Sequence, residues 1–397
     1  MRNIVIASLL CLSAVWMACT VKPAPSAPAE DPKTPGDIRV GAERLDLLLP
    51  KIEGARVALV VNHTSLVGNT HLADTLMASG IAVKKVFAPE HGFRGAAPDG
   101  AKISDDVDER TGLPIVSLYG TNRKPTPEQL SDIDVVIFDI QDVGTRFYTY
   151  ISTMHYVMEA CAEQGKKMFV LDRPNPNGDY VDGPLRVPAL KSFVGMHPIP
   201  IVHGLTVGEL AGMINGEGWL ENGMRCDVEV IQVENWTHTT PYSLPVKPSP
   251  NLPNDQAVRL YPSLCLFEGT VISVGRGTES PFLVIGNPSF KDMPYHFTPR
   301  PIATMSTHPP HEGKTCYGLD LRNVDVQPRI TLTYLLDFYQ RYPEKDKFFI
   351  GSFDRLAGTP ELKEQIRKGL TEEQIRATWK DGLDAYKKMR EKYLLYP

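Results

Sequence analysis

Four segments carry residue types and spacings from which chemistry can be built. The first is Ala88-Pro89-Glu90-His91-Gly92-Phe93-Arg94-Gly95. A carboxyl between proline and glycine at the end of an apolar run can be held in a partly apolar pocket. There its pKa rises enough for general-acid work. The competing reading is a structural loop in which Glu90 pairs with Arg94. The second segment, Asp139 to Tyr150, offers the carboxylates of Asp139 and Asp142 and the guanidinium of Arg146 at a helix start. Aspartate and threonine also cap helices, so one of those acids can serve only amide donors. The third and fourth segments are Asp172-Arg173-Pro174-Asn175 and His203-Gly204.

Each segment follows a short apolar run. Val57–Val61 leads into Asn62-His63-Thr64, Val83–Ala88 into Glu90, and Pro114–Leu118 into Tyr119-Gly120. Val135–Asp139, Met168–Leu171 and Ile199–Val202 deliver the other three segments, and Val228–Val233 adds a seventh run. The runs lack polar alternation, the pattern of strands buried on both faces. Helix-like stretches separate several of them: His71–Ser79, Phe147–Gln164 and Val207–Ile214, the last with Thr206 and Glu209 spaced as a capping box. The implied fold is α/β, a Rossmann-like doubly wound, mostly parallel sheet over residues 37–240. Ligands of such sheets bind beyond the carboxyl ends of the strands, where these polar residues converge. The Pro-rich passage Pro241 to Pro253 marks a boundary, and residues 241–397 read as a smaller mixed α+β domain completing the cleft. Its runs Val271–Val274 and Phe282–Ile285 look like strands. Near the C-terminus Ile375, Trp379, Leu383, Tyr386 and Tyr393 form an amphipathic stripe that reads as core packing.

The 397 residues are 42% hydrophobic and 22% charged, with a net charge of −5, which leaves no basic footprint for nucleic acid. Arg2 precedes an apolar run, Ile4 to Val15, too short for a permanent membrane helix. It ends at Ala18-Cys19, and residues 20–36 are a Pro-rich linker. Residues 1–19 therefore read as a lipoprotein-type export signal with Cys19 lipidated, placing the chain in the cell envelope, membrane-anchored or periplasmic. An ordinary secretory signal is the alternative. Cys161, Cys226, Cys265 and Cys316 form no CxxC pair, and either disulfides or buried thiols fit them. Gly313-Lys314-Thr315 fails as a P-loop because His308 stands where the first glycine must be. Gly275-Arg276-Gly277 lacks the third glycine of a dinucleotide fingerprint, and nucleophile-elbow and zinc-protease motifs do not occur. His91, His203, Asp139 and Asp172 lack metal-ligand spacing, so neither metal nor other cofactor is expected. The acidic run Asp105–Glu109 reads as a solvated loop.

Several long motifs in order are similar to one bacterial family. They are Phe87 to Gly95, Asp139–Tyr150, Leu171 to Pro176 and His203 to Leu210, followed by Pro248 to Pro253, Phe267 to Thr270 and Gly275 to Thr278. On these the chain resembles the DUF1343 family, the NamZ-type exo-β-N-acetylmuramidases of glycoside hydrolase family 171, over everything after the linker. The resemblance implies a Rossmann-like domain with a smaller C-terminal one, and removal of N-acetylmuramic acid from the non-reducing end of peptidoglycan fragments. It places Glu90 at the family's catalytic position. Motif and placement add His91, Asp139 and Asp142 as catalytic candidates. Asn62, Arg146, Tyr148, Tyr150, Asn175, Glu268 and Arg276 become candidates for holding sugar, with Arg146 or Arg276 reading the lactyl carboxylate. Two rivals share these residues: a non-catalytic muropeptide-binding lipoprotein, and a metal-assisted amidase or esterase.

Overall fold

The computed structural model describes residues 37–90, 92–94 and 106–397; the export signal, Cys19, the linker and His91 lie outside the described residues. Six apolar runs and a short exposed strand from the acidic stretch, β3, form one sheet: β1 (Arg56–Val61), β2 (Ala82–Ala88), β3 (Asp106–Val107), β4 (Pro114–Ser117), β5 (Val135–Asp139), β6 (Lys167–Leu171) and β7 (Asp227–Ile231). Their order is β3-β4-β2-β1-β5-β6-β7, with every pairing parallel except that of β3 with β4. The six parallel strands thus run third, second, first, fourth, fifth, sixth, the doubly wound order whose direction reverses between β1 and β5.

Lack of alternation has a direct cause. Along β1, Ala58 and Val60 enter one core while Val57, Leu59 and Val61 enter another on the opposite face. The second core is roofed by the helices α1 (Leu45–Ile52) and α2 (Leu72–Ala78). The first is covered by α3 (Tyr150–Gln164), α4 (Val207–Gly216) and α5 (Asp255–Leu264). The capping box of Thr206 and Glu209 starts α4 as the spacing requires.

Beyond α5 the chain forms a three-stranded antiparallel sheet of Val284–Asn287, Tyr295–Phe297 and Cys316–Asp320, then short helices. Ile375, Trp379 and Tyr386 are buried in the first core, so the C-terminal stripe packs inward. That core runs unbroken from Val136 in the large sheet to Phe338 and Tyr386, and residues 37–397 form one compact unit. The tail closes it. The Tyr396 hydroxyl donates to Asp172 at 2.6 Å, the Leu395 amide to Glu209 at 2.8 Å, and His238 N–H to the Pro397 carbonyl at 3.0 Å.

Three expectations need correction. Ile199–Val202 is not a strand; Val202 makes only isolated bridges, to Thr145 and Asp182. Val271–Val274 contributes a single bridge, Ser273 to Gly286. Phe147 to Thr149 are turns rather than the first turn of α3. The cysteines Cys161, Cys226, Cys265 and Cys316 are all buried free thiols.

Candidate active site

The chain leaves β2 through Pro89 and presents Glu90, half-buried, at the carboxyl edge of the sheet. Glu90 Oε2 accepts a hydrogen bond from the Thr149 hydroxyl at 2.8 Å. Arg94 does not pair with it. Its guanidinium donates to Asp108 at 2.8 and 3.1 Å and lies 3.6 Å from Asp74. Asp108, from the acidic run expected in solvent, is buried and also accepts from Thr111. The guanidinium that could have consumed Glu90 in a structural pair is held by other acids.

Beneath Glu90 lies the Tyr150 phenol. Burial raises its pKa, and the charge of Glu90 pushes further the same way, with Tyr148, Asn62 and Asp142 as its other neighbours. Five predicted residues from β1, β2 and the loop after β5 are thereby brought together. Tyr148 and Tyr150 meet edge to face at 4.9 Å, and both hydroxyls donate to the Pro248 carbonyl, at 2.7 and 3.4 Å. Gly144 allows this loop its path. Its φ is +76°, and a Cβ there would fall 2.2 Å from the Asn175 Oδ1.

Glu90 opens on a cavity of about 440 Å³ whose wall includes Tyr119, Arg123, Tyr148, Phe193, Glu268 and Arg276. That volume suits ordinary small-molecule sites, roughly 300–1,000 Å³. Arg276 donates to Glu268 at 2.5 Å and lies over the Phe282 ring at 5.3 Å. Arg123 covers Phe193 at 4.5 Å. A larger cavity, about 500 Å³, lies behind Asn175, but its Arg259 is tied to Asp179 at 2.7 Å and its Asp255 accepts from Ser243. The smaller one carries the candidate acid, Glu90.

Asn62 and Asp142, with Asp139, Arg146 and Asn175, lie behind the wall rather than on it. Asp139 accepts a buried fork from Arg173 at 2.6 and 2.9 Å. Asp142 accepts from the Gly144 amide at 2.7 Å, and burial raises its pKa to about 7. Asn62 accepts from the Thr64 amide and hydroxyl. Asn175 donates to the Leu205 carbonyl. Arg146 is fully buried and pairs with neither Asp139 nor Asp142. It donates instead to the carbonyls of Pro184, Ile199, Leu356 and Ala357 at 2.7–3.0 Å, and burial lowers its pKa to about 9. Its guanidinium is a clamp on backbone, out of reach of a ligand in the cavity.

Among the described residues the acidic group with metal-like spacing is Glu159, Glu163 and Glu221, none on the cavity wall. Lys124 already bridges the first two at 2.8 and 2.6 Å. Thr149, Arg123, Phe193 and Arg355 line the wall without having been singled out among the candidate residues. Thr149 falls inside the Asp139–Tyr150 segment, and Tyr119 at a strand end, so position could have flagged both.

A doubly wound sheet with carboxylates and aromatic rings around a cleft at its carboxyl edge is the arrangement of an α/β protein built to hold a small polar ligand. The chain belongs to the exo-β-N-acetylmuramidase NamZ family: the N-terminal family profile matches residues 57–256 and the C-terminal one residues 259–396. It is 39% identical over 380 residues to the peptidoglycan β-N-acetylmuramidase NamZ of Bacillus subtilis, covering 89% of this chain and 90% of that one. Two crystal structures of DUF1343 family proteins from Bacteroides fragilis are similar. One has a TM-score of 0.85 at 46% identity, the other 0.77 at 30%, each covering 91% of this chain and 99% of the other.

Proposed function

We propose that this protein is an exo-acting β-N-acetylmuramidase that removes N-acetylmuramic acid from the non-reducing end of peptidoglycan fragments, with Glu90 as the acid. The observation that carries the assignment is the Glu90 carboxyl on the cavity wall, held by Thr149 while Arg94 is engaged elsewhere. Thr149 donates to Oε2, and among the described residues Oε1 accepts nothing. Oε1 is then the oxygen that carries the proton to the leaving group. Glycosidases also stabilise an oxocarbenium-like centre, with a second carboxylate or with the sugar's own acetamido group. Glu268 is the second carboxylate on the wall; with Arg276 it offers acceptors and donors to sugar hydroxyls.

The test is Glu90→Gln on a MurNAc–GlcNAc disaccharide and on a chromogenic MurNAc glycoside with a good leaving group. Turnover of the disaccharide falls roughly 10²–10⁴-fold, the range for a positioned proton donor, while the activated substrate loses much less. Equal losses on both would remove Glu90 from this role.

The first residues bear on the place of action. Arg2, the apolar run and Ala18-Cys19 before a Pro-rich linker support export and lipid attachment at Cys19, tethering the enzyme at a membrane of the envelope. Cys19→Ser shifts the protein from the membrane to the soluble fraction. Unchanged partitioning with an unmodified terminus by mass spectrometry refutes the anchor.

A further inference from the structure

N-acetylmuramic acid differs from N-acetylglucosamine by a lactyl ether bearing a carboxylate, and a cavity that demands the first sugar must supply a cation for it. Three arginines line the wall: Arg123, Arg276 and Arg355. Arg276 is compensated by Glu268 at 2.5 Å. Arg123 spends its Nε on the Gly120 carbonyl at 2.9 Å and its face on Phe193, holding that ring in place. Arg355 is exposed at the cavity and, among the described residues, makes no hydrogen bond, ion pair or ring contact.

The backbone beneath Arg355 is fixed unusually well for so short a helix. It belongs to Phe353–Ala357, whose next two carbonyls, Leu356 and Ala357, are the ones gripped by buried Arg146. Gly358, at φ +78°, lets that guanidinium approach; a Cβ there would fall 2.4 Å from its Nη2. On the other side Ser352 donates to the Glu268 carbonyl at 3.2 Å, and Lys363 bonds Asp354 at 2.6 Å. A helix pinned to the loop after β5 thus presents to the cavity one guanidinium uncompensated among the described residues, the planar fork that suits a carboxylate. We propose that Arg355 binds the lactyl carboxylate of N-acetylmuramic acid, with Arg146 as the positioning residue behind it. This rests on the muramidase reading above.

The test compares a chromogenic β-glycoside of N-acetylmuramic acid with the same glycoside whose lactyl carboxylate is converted to the primary amide. The parent enzyme prefers the acid by roughly 10- to 150-fold in kcat/KM, the worth of a hydrogen bond to a charged group. Arg355→Ala loses that factor on the acid and little on the amide, so the preference collapses toward unity. Arg355→Lys keeps part of it, and Arg123→Ala weakens both substrates alike. The ratio is internal to each variant and does not depend on the active fraction. Arg355→Ala retaining the parent's preference overturns the assignment, as does a parent that cleaves acid and amide equally. A parent that cleaves neither glycoside overturns the muramidase reading and this inference with it.

Discussion

Asp139→Asn separates a structural from a catalytic acid. In the fold the Asp139 carboxylate is wholly buried and holds the Arg173 guanidinium, itself 3% exposed, through bonds of 2.6 and 2.9 Å. Burial works against the charge on Arg173, and Asp139 more than offsets it, so its pKa stays raised. Removing the negative partner strands a buried cation, which costs about 3–5 kcal/mol. Unfolding entropy near 2.1 cal/mol/K per residue over residues 37–397 converts each kcal/mol into about 1.3 °C. The melting temperature should therefore drop by roughly 4–7 °C by scanning calorimetry. Well below that transition, kcat stays close to the parent's, because the carboxylate does not reach the cavity. The double change Asp139→Leu with Arg173→Met recovers most of the lost stability, since apolar groups of similar size can replace a buried ion pair. A parent-like melting temperature with kcat reduced 100-fold or more would refute this reasoning.

Asp142 gives a pH signature. Burial raises its folded pKa to about 7, so the folded state keeps a proton that the unfolded chain releases above about pH 4. The contribution is present at low pH and is lost as pH rises from about 4 to 7. Asp142→Asn, which keeps an acceptor for the Gly144 amide, should melt above the parent at pH 8 and level with it at pH 4. A flat difference across that window counts against the assignment. Thr149→Val removes the hydroxyl on Glu90 and should lower kcat roughly 10-fold with KM little changed, from a lost charge-assisted bond. Parent kcat in steady-state assays would mean that Oε2 needs no donor.

The large sheet was legible because its strands are buried on both faces, which turns Val57–Val61 and Val135–Asp139 into unbroken apolar runs. Ile199–Val202 carries the same signal for another reason: Ile199, Ile201 and Val202 fill the first core without joining a ladder. Hydrophobicity reports burial, and pairing partners lie elsewhere in the chain. The place of Glu90 on the cavity wall was legible from its position between Pro89 and Gly92 at a strand end. The role of Arg146 was not, because its partners are backbone carbonyls 38 to 211 positions away, which leave no residue-type signature. Arg355 was invisible for the complementary reason. A single arginine on a five-residue helix has no pattern, and its place at the cavity follows from Arg146 and Gly358.

The tail's bonds set a schedule for the growing chain. Asp172 and Glu209 are buried acids whose partners include Tyr396 and the Leu395 amide, made about two hundred residues later. Until those partners arrive, the end of β6 and the start of α4 hold carboxyl groups that must keep water. Contacts this distant in sequence form late and slow the search for the native state. Closure of this edge of the core therefore waits on residues far along the chain, and a cut that removes them leaves two buried acids short of partners rather than trimming a loose end.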